Sequence, residues 1–432
     1  MRYISTNHKS SGVSFKEAVV KGLADDKGLF FPMEIPKLPG SFLKQLNDLS
    51  LSEIGYGFLK PYVGNDLPDR ELKVLLDDAL NFDIPLVEIK PNVFSLELFH
   101  GPTLAFKDVG ARIMARFLSK FVDKSKKVTV LVATSGDTGS AVANGFLNVG
   151  GIEVVVLYPK GMVSNIQEKQ FTTLGNNITA LEVNGTFDDC QRMVKEAFAD
   201  KELNNTMQLS SANSINVARF LPQAIYYFYA YAQLKDKAKP FVFSIPSGNY
   251  GNLTAGLIAK HSGLPISKFI ASANINDVVP EYIKTGIFNA RPSISTISNA
   301  MDVGNPSNFA RIMELYGHSW DKIKAEIKGY SFTDKETRQT ISDVYQKNNY
   351  ILDPHGAVAY LGLDGFMKKN DVNGILLETA HPAKFFETVE KQIPVKMEIP
   401  GRLKKSLTKE KITIKIGNSL DDLKKQITCN KI

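Results

Sequence analysis

The chain has 432 residues, of which 43% are hydrophobic and 22% are charged, and its formal net charge is +7. This length predicts more than one hydrophobic core, because a single core rarely grows past about 250–300 residues. Residues 1–12 are polar and the apolar runs are short, so we expect neither a secretory signal nor a membrane-spanning helix. The two cysteines, Cys190 and Cys429, have no metal or redox spacing, so we expect a cytoplasmic protein without structural disulfides.

The positive charge raises the question of nucleic-acid binding. Basic stretches such as residues 402–411 are interrupted by acidic or apolar residues, and no basic stripe interleaved with aromatic residues stands out. A nucleic-acid site usually shows such a stripe. We therefore expect a solvated basic surface and no nucleic-acid partner. Surplus positive charge also favours small anionic substrates.

The first ninety or so residues differ from the rest of the chain. Residues 28–39 are rich in loop-forming residues, and residues 72–80 have the apolar spacing of a helix. We expect residues 1–92 to form an amino-terminal segment that packs beside the main body.

From residue 93 onward, short β-branched runs alternate with helical patterns. Several runs are almost continuously apolar, as strands covered on both faces must be. This alternation predicts an α/β architecture with parallel sheets and crossover helices. The predicted strands are 93–99, 127–134, 152–158, 178–183, 241–246, 268–274 and 374–379, and the clearest helices are 140–148, 188–198, 253–259 and an amphipathic stretch at 420–427.

Residues 247–252, Ser-Gly-Asn-Tyr-Gly-Asn, lie between a predicted strand and a predicted helix. A glycine loop in this position leaves backbone N–H groups free and directs them, with the helix dipole, toward one point that suits a phosphate. The loop is neither a Walker A loop nor a dinucleotide fingerprint, because the required patterns are absent. Taken alone, it fits a simple tight turn equally well.

Residues 134–139, Thr-Ser-Gly-Asp-Thr-Gly, form a second glycine loop after a predicted strand. Its hydroxyls and glycines at a helix start suit a carboxylate or a phosphate. Asp137 or Thr138 could instead be an ordinary helix N-cap. Two such loops in one chain predict one site for a cofactor and one for a substrate.

Lys107 ends the segment 100–107, His-Gly-Pro-Thr-Leu-Ala-Phe-Lys, at the start of an amphipathic helix over residues 109–117. Apolar neighbours lower the pKa of a lysine by desolvation. The free amine that results is the form that attacks a carbonyl. A helix start is also an unfavourable place for a cation, so a lysine there suggests a function.

Together these segments resemble the threonine synthases, pyridoxal-phosphate (PLP) enzymes of fold type II. The resemblance runs in order from near residue 1 to about residue 390 and is strongest to the longer form found in bacteria and fungi. It is carried by residues 23–30 (Leu-Ala-Asp-Asp-Lys-Gly-Leu-Phe), 99–108 (Phe-His-Gly-Pro-Thr-Leu-Ala-Phe-Lys-Asp), 133–139 (Ala-Thr-Ser-Gly-Asp-Thr-Gly), 211–216 (Ser-Ala-Asn-Ser-Ile-Asn), 246–252 (Pro-Ser-Gly-Asn-Tyr-Gly-Asn) and 378–385 (Glu-Thr-Ala-His-Pro-Ala-Lys-Phe).

The resemblance implies a role for particular residues. Lys107 would be the Schiff-base lysine and the catalytic base, Asp137 would lie near the 3′-oxygen of PLP, and Thr379 would meet its pyridine nitrogen. The cup for the PLP phosphate would be formed by Gly248, Asn249, Tyr250, Gly251 and Asn252, of which Tyr250 and Asn252 depart from the commoner Phe and Asp. The substrate would be held by Ser135, Thr138, Asn213, Ser214 and Arg219.

The resemblance also implies an activity and a fold. Family members are lyases that convert O-phospho-L-homoserine and water to L-threonine and phosphate by γ-elimination and β-hydration, the last step of threonine biosynthesis. We expect a tryptophan synthase β-like fold with a large PLP-binding α/β domain (93–106 and 234–432), a smaller α/β domain (107–233) and the active site in the cleft between them. The expected assembly is a monomer or a homodimer.

Three other functions are compatible with parts of this pattern. A serine or threonine dehydratase shares the fold, and fold alone does not separate the two activities. The 100–108 and 211–216 motifs and the long amino-terminal segment favour threonine synthase. A non-catalytic ligand-binding relative is disfavoured by Lys107 and the two glycine loops. A nucleic-acid binder would reveal itself by steep salt dependence.

The histidines show no metal-ligand spacing, so no metal site is expected. His100 and His381 flank proposed site motifs, and each is either a neighbour of the site or a structural residue. His8, His261, His318 and His355 lie in unrelated contexts. The aromatic residues 226–229 are expected to pack in a core or in a dimer contact.

Overall fold

The computed structural model describes residues 1–122 and 127–429, and at Cys429 the backbone alone. The strands are β1 (Tyr3–Ser5), β2 (Phe30–Pro32), β3 (Leu86–Lys90), β4 (Val93–Glu97), β5 (Val128–Ala133), β6 (Ile152–Pro159), β7 (Ile178–Val183), β8 (Gln208–Ser211), β9 (Phe241–Pro246), β10 (Lys268–Ala273), β11 (Ile327–Ser331), β12 (Asn373–Glu378) and β13 (Ile414–Ile416).

The α-helices are α1 (Phe15–Lys21), α2 (Gly40–Gln45), α3 (Leu51–Val63), α4 (Asp69–Ala79), α5 (Lys107–Phe121), α6 (Asp137–Phe146), α7 (Asn165–Thr172), α8 (Phe187–Ala199), α9 (Lys201–Thr206), α10 (Val217–Phe220), α11 (Ala224–Gln233), α12 (Gly251–His261), α13 (Val278–Thr285), α14 (Phe309–Leu315), α15 (Trp320–Glu326), α16 (Asp334–Asn348), α17 (Pro354–Met367), α18 (Phe386–Val389), α19 (Gly401–Leu407) and α20 (Leu420–Cys429). Short 3₁₀ turns cover residues 46–48, 221–223, 299–301 and 382–385.

The larger sheet has six strands in the order β11–β10–β9–β12–β4–β3. All neighbouring strands are parallel except β3, which pairs antiparallel with β4 at one edge. The central strands β9 and β12 are buried along their whole length, because helices cover both faces of the sheet. Their apolar runs are therefore those of strands buried on both faces, as predicted.

The second sheet has five parallel strands in the order β13–β7–β6–β5–β8. Its core includes Leu131 and Leu157 from the strands and Cys190 and Met193 from α8. Leu423 of α20 packs into the same cluster, so the amphipathic carboxyl-terminal helix buries its apolar face here. The predicted α/β class with two parallel sheets is confirmed.

The amino-terminal segment shares one large core with the rest of the protein. Its helices α1 and α3 begin with capping boxes, in which a serine and a glutamate three residues later bond each other's backbone N–H groups. Phe15 packs edge-on against Phe117 of α5 at 5.0 Å between ring centroids. The Tyr62 and Ser262 hydroxyls lie 2.9 Å apart, which joins α3 to the end of α12.

Sheet membership departs from the expected domain boundaries in two places. Strand β3, expected in the amino-terminal segment, lies in the larger sheet. Strand β13, expected in the large domain, pairs with β7 of the second sheet. The reason for the second difference is that Ile416, together with the apolar face of α20, is buried against α8. The chain therefore crosses between the sheets once more than expected.

The aromatic residues 226–229 lie on α11. Tyr226, Tyr227 and Phe228 are buried inside this chain, and the Tyr227 ring packs edge-on against Phe243 at 4.8 Å. The stripe is therefore core packing. Among the residues described, no helix is long and apolar enough to cross a membrane.

Candidate functional site

The sequence motifs meet at one edge of the two sheets. Each follows the carboxyl end of a parallel strand: residues 98–108 follow β4, 134–139 follow β5, 212–216 follow β8, 247–252 follow β9 and 379–385 follow β12. In open parallel sheets, ligands bind at this edge, in the crevice beyond the strand ends. The two sheets present these ends to a common cleft.

The loop that carries Lys107 is fixed by the end of β12. Phe106 N–H donates to the Thr379 carbonyl at 2.8 Å, and His381 N–H donates to the Leu104 carbonyl at 3.1 Å. The buried Asp108 carboxylate accepts bonds from Thr103 N–H at 2.9 Å and from its hydroxyl at 2.6 Å. These bonds close the loop and place Lys107 at the first position of α5.

Lys107 lines the cleft as a half-buried residue, with its ammonium nitrogen 5.1 Å from the centroid of the Phe106 ring. Its pKa is lowered to about 8, chiefly by desolvation and further by the positive charges of Lys384 and Arg219, while Asp137 opposes the change. A substantial fraction of this amine is therefore neutral near physiological pH, which is the form that attacks a carbonyl.

The glycine loop 247–252 presents its backbone to the cleft. Tyr250 has a left-handed backbone (φ 61°) and precedes the first residue of α12. Within the described chain, the backbone N–H groups of residues 248–252 have no hydrogen-bond acceptor. An added Cβ at Gly248 would lie 2.7 Å from the Ala300 carbonyl oxygen, so only glycine fits. The loop is thus a cradle of free donors at a helix start, as a phosphate requires.

The asparagine side chains of this loop brace it from within. Asn252 Nδ2 donates to the Pro246 carbonyl at 2.9 Å, and its Oδ1 accepts from the Ser247 hydroxyl at 2.9 Å. Asn249 Nδ2 donates to the Ser214 hydroxyl at 2.8 Å. The Ser247 and Asn252 side chains thus bond within the loop and its preceding strand, and the free donors that face the cleft are backbone N–H groups.

The second loop, 134–139, is organised by the Thr134 hydroxyl. This oxygen accepts from Gly136 N–H at 2.9 Å and from Gly139 N–H at 2.8 Å. Ser135 and Thr138 are half-exposed in the cleft, and their hydroxyls bond no described residue. Both side chains are therefore free to bind a ligand. Gly136 (φ 141°) and not Asp137 is the N-cap of α6.

Asp137 and Lys384 form a buried ion pair that the sequence reading missed. Lys384 Nζ lies 2.5 Å from Asp137 Oδ1, and both side chains are almost completely buried. Burial alone would raise the pKa of Asp137, but the charges of Lys384 and Lys107 lower it to about 2. Asp137 is therefore an anion at the floor of the cleft. Lys384 lies in the 378–385 motif, but its type and position there gave no sign of a partner.

Segment 211–219 contributes the other wall of the cleft. Asn213 Nδ2 donates to the Ala133 carbonyl at 3.1 Å, which ties this segment to the strand before the second loop. The Ser214 hydroxyl accepts from Asn249 and Asn308. Arg219 is buried and donates from Nη1 to the Lys107 carbonyl at 3.1 Å and from Nε to Ala212. Its Nη2 bonds no described residue and remains available to an anion.

A second set of polar residues, Glu378, Asp353 and His355, is linked by hydrogen bonds beside Thr379, and the sequence did not predict it. The buried Glu378 Oε1 accepts from Asp353 N–H at 2.6 Å, and Asp353 Oδ1 lies 2.5 Å from His355 Nδ1. Ala300 N–H donates to His355 Nε2 at 3.3 Å. His355 lines the cleft, so its earlier interpretation as an unrelated residue is wrong. His355 lies at the start of α17, which follows α16 and none of the sequence motifs, so the sequence did not indicate this position.

His100 and His381 are structural. His100 Nε2 lies 2.7 Å from Glu97 outside the cleft, and His381 Nδ1 accepts from Ala383 N–H at 3.1 Å in a capped turn. Burial lowers the pKa of His381 to about 4, so its ring is neutral. In the described ranges no group of histidine, cysteine or acidic residues has the arrangement of a metal site.

Every predicted site residue lines one cleft, which is partly open to solvent. The cleft has a further wall, residues 299–307, that the sequence reading missed because the segment has no regular pattern. The predicted residues that it gathers are Lys107, Ser135, Asp137, Thr138, Asn213, Ser214, Arg219, Gly248, Asn249, Tyr250, Gly251, Asn252 and Thr379.

The cleft suits PLP. The free N–H groups of residues 248–252 could hold the phosphate, and the amine of Lys107 could hold the aldehyde carbon. The Thr379 hydroxyl bonds no described residue and lines the same space. Two buried polar atoms at the cleft, Tyr250 Oη and Asn299 Oδ1, have no protein partner, as expected of groups beside a ligand. The fold and the site define a PLP-dependent enzyme of fold type II.

Comparisons with known proteins narrow this class. The family model "Pyridoxal-phosphate dependent enzyme" matches residues 84–376, "Threonine synthase N terminus" matches 2–80 and "Threonine synthase, C-terminal" matches 356–427. Threonine synthase of Haemophilus influenzae is 46% identical over 407 residues, covering 94% of each chain. The chain belongs to the threonine synthase family.

Solved structures agree. The crystal structure of threonine synthase from Escherichia coli superposes with a TM-score of 0.94 at 39% identity and covers 100% of both chains. PLP-bound threonine synthase from Brucella melitensis gives a TM-score of 0.92 at 33% identity, covering 99% of this chain and 98% of that chain. A threonine deaminase from Solanum lycopersicum, with a TM-score of 0.56 at 18% identity, shares the fold alone.

Proposed function

We propose that this chain converts O-phospho-L-homoserine and water to L-threonine and phosphate in the cleft between its two sheets, with Lys107 as the residue that holds PLP. The observation that carries the proposal is the placement of Lys107: a desolvated amine at the start of α5 that shares one cleft with the 248–252 cradle. Family membership supports the same activity.

The cofactor would be held at three points. The free N–H groups of residues 248–252 would bind its phosphate, Lys107 its aldehyde carbon, and the Thr379 hydroxyl its ring nitrogen. PLP, when bound, supplies an electron sink that stabilises negative charge at the carbon atoms next to the substrate amine. A hydroxyl at Thr379, unlike a carboxylate, leaves the ring nitrogen without a strong reason to be protonated.

Lys107 would also move the protons. When the substrate amine replaces the Lys107 amine at the cofactor, Lys107 would be free in the cleft. It would then act as a general base for the Cα proton and afterwards for the Cβ proton of the substrate. A base that accepts a proton and returns it works best with a pKa near the operating pH. The pKa of about 8 at Lys107 meets this requirement.

The substrate would be oriented by the polar groups that the protein leaves free. Ser135 and Thr138 offer hydroxyls and the unpaired backbone N–H groups beside them, which suit the carboxylate at the start of α6. Arg219 Nη2 offers a charged donor, and Asn213 and Ser214 line the same cleft. Positive groups on this wall suit the phosphate of the substrate.

The test is turnover of O-phospho-L-homoserine by PLP-loaded protein, with phosphate and threonine measured together. Equal release of both is expected. Lys107→Ala should abolish turnover, while Lys120→Ala is the matched control, since Lys120 lies on the same helix, exposed and paired with Glu71. Phosphate without threonine, or deamination of serine or threonine instead, would refute the proposed reaction. An active Lys107→Ala variant would refute the assignment of Lys107.

The remaining expectations concern the setting of the enzyme. We propose a cytoplasmic location, a monomer or homodimer, and no nucleic-acid partner. The buried free thiol of Cys190 is consistent with a reducing compartment. Light scattering at micromolar concentration would give the assembly, and a trimer or larger ring would contradict the proposal. Salt-dependent binding of DNA or RNA would contradict the third expectation.

A further inference from the structure

Lys384 is a buried cation whose ammonium makes two contacts beneath the cleft. Its ammonium lies 2.5 Å from Asp137 Oδ1 and donates to the Thr103 carbonyl at 3.0 Å. Only 1% of its surface is exposed. Lysine is rarely buried to this extent unless it is paired, because desolvation of an ammonium is costly. The burial of Lys384 therefore requires a charged partner, and Asp137 provides it.

The contacts of Lys384 join the segments that form the floor of the cleft. Thr103 belongs to the loop that ends at Lys107, Asp137 is the first residue of α6, and Lys384 itself lies in the 3₁₀ turn that follows Thr379. Gln167 Nε2 supports Asp137 with a second bond at 2.9 Å. The ion pair thus links the two sheets directly behind the proposed cofactor position.

The charges around Lys107 come from four elements. Asp137 at the start of α6 and Asp353 at the start of α17 favour the ammonium form, while Lys384 and Arg219 oppose it. Lys384 in turn faces Asp108 and His381 besides Asp137. Without a cation of its own, Asp137 would draw a proton onto the Lys107 amine, and an ammonium does not attack a carbonyl.

We propose that Lys384 is a positioning residue of the active site, whose buried ammonium holds Asp137 as a fixed anion and screens its charge from the Lys107 amine. The opposite charges of Asp137 and Lys384 then largely cancel at Lys107, so Asp137 can lie beside the cofactor without stabilising the ammonium form of the lysine that must react. This inference rests on the proposed role of Lys107 and adds a residue that does not itself line the cleft.

Three variants separate the electrostatic role from a structural one. Lys384→Met removes the cation and should raise the pH at which Lys107 becomes reactive by about one unit or more, because the charge of Asp137 is no longer screened. Asp137→Asn leaves Lys384 unopposed and should lower that pH by a similar amount. The double variant, which keeps neither charge, should return toward the wild-type value.

The measurement is acetylation of Lys107 by trace acetic anhydride, followed by mass spectrometry of the full-length protein without added PLP, from about pH 6 to about pH 10, a range that spans the ordinary titration of an amine with lowered pKa. Shifts of opposite sign in the single variants, with cancellation in the double variant, support the proposal. Shifts of the same sign, or none, overturn it. Lys384→Arg keeps the charge and should stay close to wild type.

A second comparison of variants and a separate test of PLP attachment complete the experiment. If Lys384→Met fails to fold, the comparison of Asp137→Asn with the double variant still isolates the charge of Lys384, because both proteins lack the Asp137 anion and differ only at residue 384. Failure of the proposed function would appear separately, as wild-type protein that does not attach PLP to Lys107 after borohydride reduction. In that case the titration of Lys107 still reports on Lys384.

Discussion

Replacement of Gly248 by alanine tests whether the shape of the 248–252 loop depends on the absence of a side chain at this position. An ideal Cβ at this position would lie 2.7 Å from the Ala300 carbonyl oxygen and 2.8 Å from Met301 Cα. Both are backbone atoms, so no side chain can rotate away, and the loop or the 299–301 turn must move. Overpacking of this kind costs about 1–3 kcal/mol. The free energy of unfolding should fall by this amount.

The same strain should weaken cofactor binding. If the loop moves to relieve the contact, PLP binding must restore its shape, and about 1–3 kcal/mol corresponds to a rise in Kd of about 5- to 150-fold. Absorbance titration with PLP gives the affinity, and urea unfolding of the cofactor-free protein gives the stability. Wild-type values for both in Gly248→Ala would refute the argument.

Gly251→Ala provides a matched control in the same loop. The nearest atoms to its added Cβ are Asn308 Nδ2 and Ser214 Cβ, both at 3.4 Å, which is ordinary contact. Gly251 is the first residue of α12 and does not have a positive φ, so its backbone accepts alanine without strain. Stability should be unchanged or slightly higher. An equal loss of stability in Gly248→Ala and Gly251→Ala would show that the close contacts of the added Cβ do not cause the loss.

Three further predictions concern buried groups. Tyr250→Phe removes a buried hydroxyl without a protein partner, so the cofactor-free protein should be unchanged or up to about 1 kcal/mol more stable in urea, and a clear loss would contradict this. Burial and the neighbouring Asp353 raise the pKa of Glu378 well above 4.5, so its contribution to stability is full below pH 4.5 and is lost as the pH rises toward the folded-state pKa. Glu378→Gln should therefore gain stability relative to wild type between about pH 5 and about pH 7, and a flat difference over that interval would count against it. Burial, with a smaller effect from Asp189, raises the pKa of the Cys190 thiol to about 12, so iodoacetamide should leave it unmodified in the folded protein at neutral pH, and rapid labelling seen by mass spectrometry would be the contrary result.

The central strands and the ligand loops could be read from the sequence because both are local patterns. The strand predicted at residues 241–246 has the same bounds as β9, since a strand buried on both faces must be apolar throughout. Lys107 and the loops at 134–139 and 247–252 could be recognised because glycines, hydroxyls and a lysine stand directly after such strands. Their convergence on one cleft follows from the parallel sheet, whose carboxyl ends share one edge.

The edge strands could not be read in this way. Strands β8, β11 and β13 are short and only partly apolar, and tertiary pairing rather than local propensity makes them strands. The sheet to which β13 belongs was decided by the burial of α20 against α8, a contact between distant parts of the chain. For the same reason the wall at 299–307 had no signature.

Residue type and spacing along the chain are enough to predict the α/β class, the resemblance to threonine synthases and the residues of the proposed cofactor site. The pairing of charged and polar side chains, in contrast, is set by the folded protein. Lys384 meets Asp137, and His355 meets Asp353 and Ala300, across loops from different strands. Such pairs depend on burial and on distances between side chains, and no periodicity in the sequence records them.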